Sequence, residues 1–487
     1  MTQDQLVGRQ LHNIIRLIAG PLIGLLIFML FRPEGVSIEA TAVAAIGTWM
    51  AIWWATEATH VAVTALLPLF LFPLLSIGSM NVTAASYAHP IIYLFLGGFI
   101  MAIAIERSGL HLRVALGVFQ LAGVKSRALV GGFMVSAALI SMWISNTSTT
   151  LMMLPVAMSV VHVVRETMDD LAPKQISNFE VCMFLGLAYG ATMGGVATLV
   201  GTPPNVFMTG FMESTYNIEI DFARWMIIGI PLTVVMLPIT WFVLTRVMFP
   251  INFTASERTK THIAVRNAEL GKMSKMEKRV AILFIVLIGA WIFRKPIISV
   301  TGLTELTDPV VAMGAAIAAF LIPSGKKGEA LMTWEATKKV PWGVLILFGG
   351  GLALAAAMTS SGLTGWMGKQ LAPLGTINTG LLILCACLLV IFLTELTSNL
   401  ATTATFLPIM AAIAVETGQD PLIFVIPVTL AASFAFMLPV ATPPNAIVFS
   451  SGRVSIPQMM RAGLVLNLVG VTVLTVVALI LVPKVFG

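Results

Sequence analysis

A run of small hydroxyl and amide side chains, Ser141–Pro155 (SMWISNTSTTLMMLP), sits inside otherwise apolar sequence and occurs twice. Its second copy, Thr394–Pro408 (TELTSNLATTATFLP), repeats Ser145-Asn146 as Ser398-Asn399 and Leu154-Pro155 as Leu407-Pro408 at one constant offset. Away from water each polar side chain must find a partner, so lipid-depth sequence rarely concentrates them. A chain that does so twice must bring helix ends, ligands or both to those two places. The lipid surroundings follow from composition: 58% of the 487 residues are hydrophobic, 10% are charged, and the mean hydropathy is +0.96. A soluble domain is about a quarter charged, so the expected fold class is an all-α polytopic membrane protein.

Apolar segments fall near 14–31, 40–56, 60–78, 90–106, 128–163, 180–213, 222–249, 279–293, 308–322, 341–358, 378–415, 421–450 and 462–486. The first is long enough to span, and no cleavable signal peptide is expected. Four segments exceed the ~20 residues that one span needs and contain polar breaks. Segments 128–163 and 378–415 read as re-entrant helical hairpins, with turns at Ser145–Thr147 and Ser398–Leu400. Segments 180–213 and 421–450 read as spans broken at GTPPN (Gly201–Asn205) and ATPPN (Ala441–Asn445). Two adjacent prolines remove two amide donors and favour extended backbone before them.

With the N-terminus cytoplasmic and each hairpin returning to its own side, only Arg32, Arg224, Arg294, Lys295, Lys369 and Lys484 fall outside. Every other Lys and Arg falls inside, a strong positive-inside bias. Reading either hairpin as a plain span reverses all later loops and destroys that bias. The expectation is about eleven spans plus two re-entrant hairpins, with the C-terminus extracytoplasmic.

The halves match further. Gly97-Gly98 and Ser108-Gly109-Leu110 align with Gly350-Gly351 and Ser361-Gly362-Leu363. One hairpin enters from inside and its twin from outside, so the repeats are expected to have inverted topology, as in secondary transporters. The division is scaffold helices of repeat 1 (1–123), transport-domain half 1 (124–249) and a cytoplasmic linker or surface helix (250–278). Scaffold helices of repeat 2 (279–372) and transport-domain half 2 (373–487) follow.

Two hairpin tips and two broken helices supply what a small anion and a hard cation need. Half-helix N-termini present free amides and partial positive charge to a carboxylate. The hydroxyls of Ser145, Thr147, Ser398, Thr202 and Thr442 and the amides of Asn146 and Asn399 can donate as well. Carbonyls freed at Gly201 and Ala441, with asparagine side-chain oxygens, can ligate sodium. Neither motif contains Lys or Arg. An anion there would be held by dipoles and co-bound cations, which couples its binding to sodium. A single polar cluster is commonly helix–helix hydrogen bonding, and a single Pro-Pro break is commonly a kink; the symmetric pairing of both favours a site.

SNTSTTLMMLP with GTPPN, and TSNLATTATFLP with ATPPN, resemble the signature motifs of the divalent-anion:sodium symporters, the INDY-like dicarboxylate and citrate carriers. The resemblance covers nearly the whole chain. It implies a first sodium site at Ser141, Ser145, Asn146 and Gly201, and a second at Thr394, Thr397, Asn399 and Ala441. It places substrate carboxylates at Ser145, Asn146, Thr147, Ser398, Asn399, Thr442 and Pro443; Thr202, by its hydroxyl, is a further substrate-binding candidate. It implies a homodimer working by elevator-type alternating access, sodium ions for coupling, no other cofactor, and C4 dicarboxylates such as succinate, malate and fumarate as substrates. Citrate, sulfate and proton-coupled carboxylate exchange are the alternatives. Many bacterial members carry Ser-Asn-Thr twice, whereas the second motif here is Ser398-Asn399-Leu400, which removes one hydroxyl.

Among carboxylates near membrane depth, Glu57, Glu106, Glu305, Asp308 and Glu395, the last lies beside the second motif. Proton coupling would need such a group. Its repeat equivalent is Met142, so Glu395 is expected to satisfy hairpin backbone or a partner helix. His12, His60, His89, His111, His162 and His262 lack metal spacing and suit isolated loop or helix-end roles. Cys182, Cys385 and Cys387 read as packing residues, and the Gly349–Gly351 run as close helix packing. There is no Walker-type loop, GxSG-like nucleophile or HExxH site, so neither direct ATP drive nor an intramembrane enzyme is expected. The net charge of +6 reflects basic loops rather than a nucleic-acid partner.

Overall fold

The computed structural model describes residues 3–168 and 171–486, with side chains from residue 14 onward except 260, 262, 263, 375 and 376. Among these residues the chain is helical throughout and contains no strand. The order is α1 (Gln3–Leu30), α2 (Ile38–Thr56), α3 (Val61–Thr64), α4 (Leu67–Leu74), α5 (Met80–Ala85), α6 (Pro90–Ser108) and α7 (Leu110–Leu121). Next come α8 (Ser126–Ser141), α9 (Asn146–Thr167), α10 (Pro173–Gly195), α11 (Pro203–Tyr216) and α12 (Phe222–Phe242). Then follow α13 (Glu257–Glu269), α14 (Lys275–Ile292), α15 (Arg294–Thr301), α16 (Asp308–Leu321), α17 (Trp342–Ser360) and α18 (Leu363–Leu371). The chain closes with α19 (Thr379–Thr394), α20 (Asn399–Glu416), α21 (Pro421–Ser433), α22 (Pro443–Ser450), α23 (Ile456–Val476) and α24 (Val482–Phe486).

Among the described residues 7 helices are long and apolar enough to cross a bilayer, or up to 9 if each bent pair is one span. Their outward faces stay apolar: Ile282, Ile285 and Val286 on α14 are exposed, as are Ile14, Leu22 and Leu30 on α1. Such a belt belongs in hydrocarbon. The predicted segment 60–78 is broken, because Pro68 and Pro73 shorten it to α3 and α4. Segment 279–293 continues into α15 through a bend of 78° between Ile292 and Arg294. Residues 257–269 form a helix with largely exposed side chains, α13.

The order α6 to α12 recurs as α17 to α23. Gly109 and Gly362, matched by offset, both take left-handed backbone, at φ 78° and 77°. Both α12 and α23 run on into a π-helical stretch, Val243–Met248 and Val477–Leu481. The glycine run of α17 serves close packing, as its sequence suggests. A Cβ at Gly350 would lie 2.7 Å from the Cα and Cβ of Ala65. His60 and His89 cap α3 and α6, each ring nitrogen accepting a backbone amide at 3.3 Å. Cys182 and Cys387 are buried, but Cys385 lies on the outward face of α19 and packs no core. Glu106 pairs with Lys339 at 2.6 Å and Asp308 with Arg294 at 3.2 Å, while Glu57 and Glu305 are exposed.

Candidate functional site

In the first repeat, Ser145 is the N-cap of α9 and its Oγ accepts the Ser148 amide at 3.3 Å. The turn therefore occupies 142–145, upstream of the Ser145–Thr147 predicted. A serine that caps a helix stands before it, which puts Asn146 and Thr147 in the first turn, where backbone amides lack intrahelical acceptors. Across the turn Ser141 Oγ donates to Asn146 Oδ1 at 2.6 Å.

The partner helix breaks earlier than the prolines suggest. α10 ends at Gly195, residues 196–202 are unwound, and Pro203 and Pro204 open α11. Proline is tolerated there because first-turn amides have no helical acceptor to lose. Two glycines let these pieces touch. A Cβ at Gly195 would overlap Asn146 Oδ1 and lie 3.0 Å from its Cγ. A Cβ at Gly201 would lie 2.9 Å from the Cα of Gly195. Ser141, Asn146 and Gly201 thus converge around Gly195, with Ser145 beside them.

The second repeat follows the same plan with different ties. Ser398 caps α20 without a side-chain bond, so the turn is 395–398 rather than Ser398–Leu400. Thr394 Oγ1 lies 2.9 Å from Asn399 Oδ1 and 2.8 Å from the Ala432 carbonyl. Thr397 is occupied otherwise, its hydroxyl 3.0 Å from the Leu393 carbonyl and 2.6 Å from Thr402 Oγ1. α21 ends at Ser433, and Ala441 lies in the unwound stretch before α22, buried. Thr442 caps α22 by accepting the Asn445 amide at 3.3 Å; Thr202, its counterpart, makes no such bond.

The unwound segments carry a feature that sequence reasoning missed. Asn205 Nδ2 donates to the Thr198 carbonyl at 2.9 Å and reaches those of Gly195 and Val196 at 3.5 Å. Asn445 Nδ2 donates to the Ala435 and Leu438 carbonyls at 3.1 Å each. Both asparagines are 0% exposed, and both Oδ1 atoms lack a hydrogen-bond partner. A buried, unpaired carbonyl oxygen is costly and suits a cation or a water. The doubled final letter of GTPPN and ATPPN was the available signal.

The two halves interlock. α9 packs on α22 and α11 on α20, so the helix after each turn lies against the far half of the opposite broken helix. Tyr189 on α10 donates its hydroxyl to the Phe436 carbonyl of the other unwound segment at 2.7 Å. Buried Glu180 bridges Arg165 at 2.9 Å and Arg453 at 3.7 Å, a link between halves with no local sequence sign. Ser145, Asn146, Thr147, Ser398 and Asn399 are half-buried, Thr202 and Thr442 buried, and Pro443 exposed. Leu400 is packed into the core at 5% exposure, unlike its counterpart Thr147. A cavity of about 1000 Å³ opens elsewhere, lined by Glu213, Glu219, Arg294, Lys295 and Asp308 among others, and by none of the predicted site residues.

Residues 11–485 match the model of the family described as the sodium:sulfate symporter transmembrane region. The chain belongs to that family. It is similar to the sodium-dependent dicarboxylate transporter SdcS of Staphylococcus saprophyticus, 40% identical over 479 residues, covering 98% of this chain and 92% of that protein. The protein of the same name from Staphylococcus aureus matches at 40% identity with the same coverage. Among solved structures the YdaH transporter of Alcanivorax borkumensis aligns with a TM-score of 0.55 at 14% identity, over 82% of this chain and 87% of that one. MtrF of Neisseria gonorrhoeae aligns with a TM-score of 0.55 at 13% identity, over 82% and 83%. At those identities the likeness is one of fold. The relatives are transporters, in keeping with a carrier rather than an enzyme.

Proposed function

We propose that this protein is a sodium-coupled secondary importer of C4 dicarboxylates such as succinate, malate and fumarate. One observation carries the reading: each hairpin tip sets an asparagine carbonyl against a hydroxyl of its own first arm, Ser141 on Asn146 and Thr394 on Asn399. Clustered neutral oxygens beside unwound backbone suit sodium, and first-turn amides beside them suit a carboxylate. The name borne by relatives at 40% identity supports the same cargo.

Ser141, Asn146 and Gly201 are assigned to the first sodium site, with Ser145 at its edge; Thr394, Asn399 and Ala441 are assigned to the second. Thr397 has its hydroxyl committed to Leu393 and Thr402, so its part would be played by backbone. Substrate carboxylates are assigned to Ser145, Asn146, Thr147, Thr202, Ser398, Asn399, Thr442 and Pro443. The recurring helix order and the interlocked hairpins support the finer architecture: eleven spans, two re-entrant hairpins and inverted repeats, in the cell membrane with the N-terminus cytoplasmic. A homodimer in which residues 124–249 and 373–487 move as an elevator against the rest completes the reading.

The test is a ligand panel on purified protein, reading melting temperature with succinate, malate, fumarate, citrate or sulfate in sodium or choline buffer. Stabilisation by the C4 acids in sodium alone supports the assignment. The family description names sulfate, so a sulfate response exceeding that of succinate would replace it with sulfate symport.

A further inference from the structure

Glu395 is 3% exposed, at the C-terminal end of α19. Its Oε1 accepts the Phe436 amide at 2.8 Å, the Met437 amide at 2.9 Å and Asn467 Nδ2 at 2.8 Å. Its Oε2 accepts the Met437 amide at 3.1 Å and the Leu438 amide at 3.0 Å. These partners are all neutral N–H donors, an arrangement that favours the ionised carboxylate. The carboxyl group sits in a nest of successive backbone amides.

That nest is tied to the second site at both ends. The residue before Glu395 is Thr394, whose hydroxyl reaches Asn399 Oδ1. The backbone it pins includes Leu438, whose carbonyl accepts Nδ2 of Asn445, the asparagine with a bare Oδ1. The first repeat solves the same problem without charge. At the motif offset of Glu395 stands Met142, whose carbonyl accepts the Thr198 hydroxyl, and Leu438 is the counterpart of Thr198 when GTPPN is aligned on ATPPN.

We propose that Glu395 is the built-in counter-charge of the second sodium site, so that the two pseudo-symmetric sites are unequal and the second fills at lower sodium. The inference rests on the two-site reading above. Glu395 is a positioning residue: it touches neither cation nor substrate, but sets the potential and the backbone of the site. At protein-like effective dielectric, removing one charge within several ångströms of a bound cation weakens its binding on the order of tenfold or more.

The experiment is equilibrium binding of radioactive sodium to the purified full-length protein, with succinate KM at saturating sodium as a second readout. Glu395→Gln keeps the shape and removes the charge; the tighter sodium class should weaken on the order of tenfold while succinate KM changes less than about twofold. Asn467→Ala removes a donor and keeps the charge, so its sodium affinity should stay near wild type. Equal losses in both variants, or wild-type affinity in Glu395→Gln, overturn the proposal. Should Glu395→Gln not fold, Asn146→Ala and Asn399→Ala carry the test by leaving one site each. The sodium affinity remaining in Asn146→Ala should be on the order of tenfold tighter than in Asn399→Ala, and equal affinities overturn the inference. Wild-type protein that binds no sodium refutes the transport reading itself, a different outcome from binding at two equal sites.

Discussion

Replacing Gly195 with alanine puts one methyl group where α10 ends against the Asn146 side chain. The added carbon would sit 3.0 Å from both Asn146 Cγ and Nδ2 and overlap Oδ1, so the amide must move. Overpacking of this kind costs about 1–3 kcal/mol, and the 2.6 Å bond from Ser141 is lost with the movement, roughly another 1 kcal/mol. Alanine recovers about 1 kcal/mol of helix propensity over glycine. The net effect on folding is a modest fall in melting temperature, because the loss is confined to one contact. The effect on the proposed first cation site is larger, because the Asn146 oxygen assigned to it is displaced. Gly195→Ala should therefore purify as a folded protein while its half-saturating sodium concentration for succinate uptake rises at least about tenfold, about 1.4 kcal/mol. Serial sodium titrations in proteoliposomes measure this. A folded variant with wild-type sodium dependence would show that Asn146 is not a ligand held in place by Gly195.

Three further outcomes follow from the packing. Tyr189→Phe strands the buried Phe436 carbonyl by removing its 2.7 Å donor, so thermal stability should fall by about 1–3 kcal/mol; an unchanged melting temperature refutes the tie between the unwound segments. Arg294→Met leaves buried Asp308 without its cation, costing about 3 kcal/mol, and adding Asp308→Asn should recover much of it; no recovery would mean the loss lies elsewhere. Burial pushes the Asp221 carboxyl up, but the Lys295 hydrogen bond, the Arg224 amide and the nearby cations outweigh it, so the group sits below the usual carboxylate range. A depressed carboxylate stabilises the fold above its unfolded pKa, and that share is lost as pH falls through the folded value. The stability gap between wild type and Asp221→Asn should hold from neutral pH down to about pH 5 and close below about pH 4; a gap that widens on acidification contradicts this sign.

Much of the candidate site's local geometry was legible because the repeat made it so. Ser145-Asn146 and Ser398-Asn399 stand at helix starts, and GTPPN and ATPPN stand at broken helices. What sequence misplaced was the position of each break. The sequence pattern points to proline as the interruption, whereas Pro203 and Pro443 begin the next helix and the interruption is the segment upstream. The pattern likewise sets Ser145 and Ser398 in the turn's apex, whereas each is the N-cap of the helix that follows. Local chemistry explains both, once the capping rule is applied to Ser145 and the first-turn rule to Pro203. Long-range ties left no trace along the chain. Glu180 meets Arg453 and Tyr189 meets Phe436 only because the halves interlock. At the counterpart of Thr147, Leu400 packs into the core.

Coupling of a dicarboxylate to sodium through the paired tips is the central claim, and uphill uptake tests it most directly. Proteoliposomes containing the protein are given labelled succinate with an inward sodium gradient or with choline in its place. The account predicts accumulation above the external concentration with sodium, none with choline, and none with sodium in Asn146→Ala or Asn399→Ala. Equal accumulation in choline, or uptake driven by an acid-outside gradient without sodium, would contradict it.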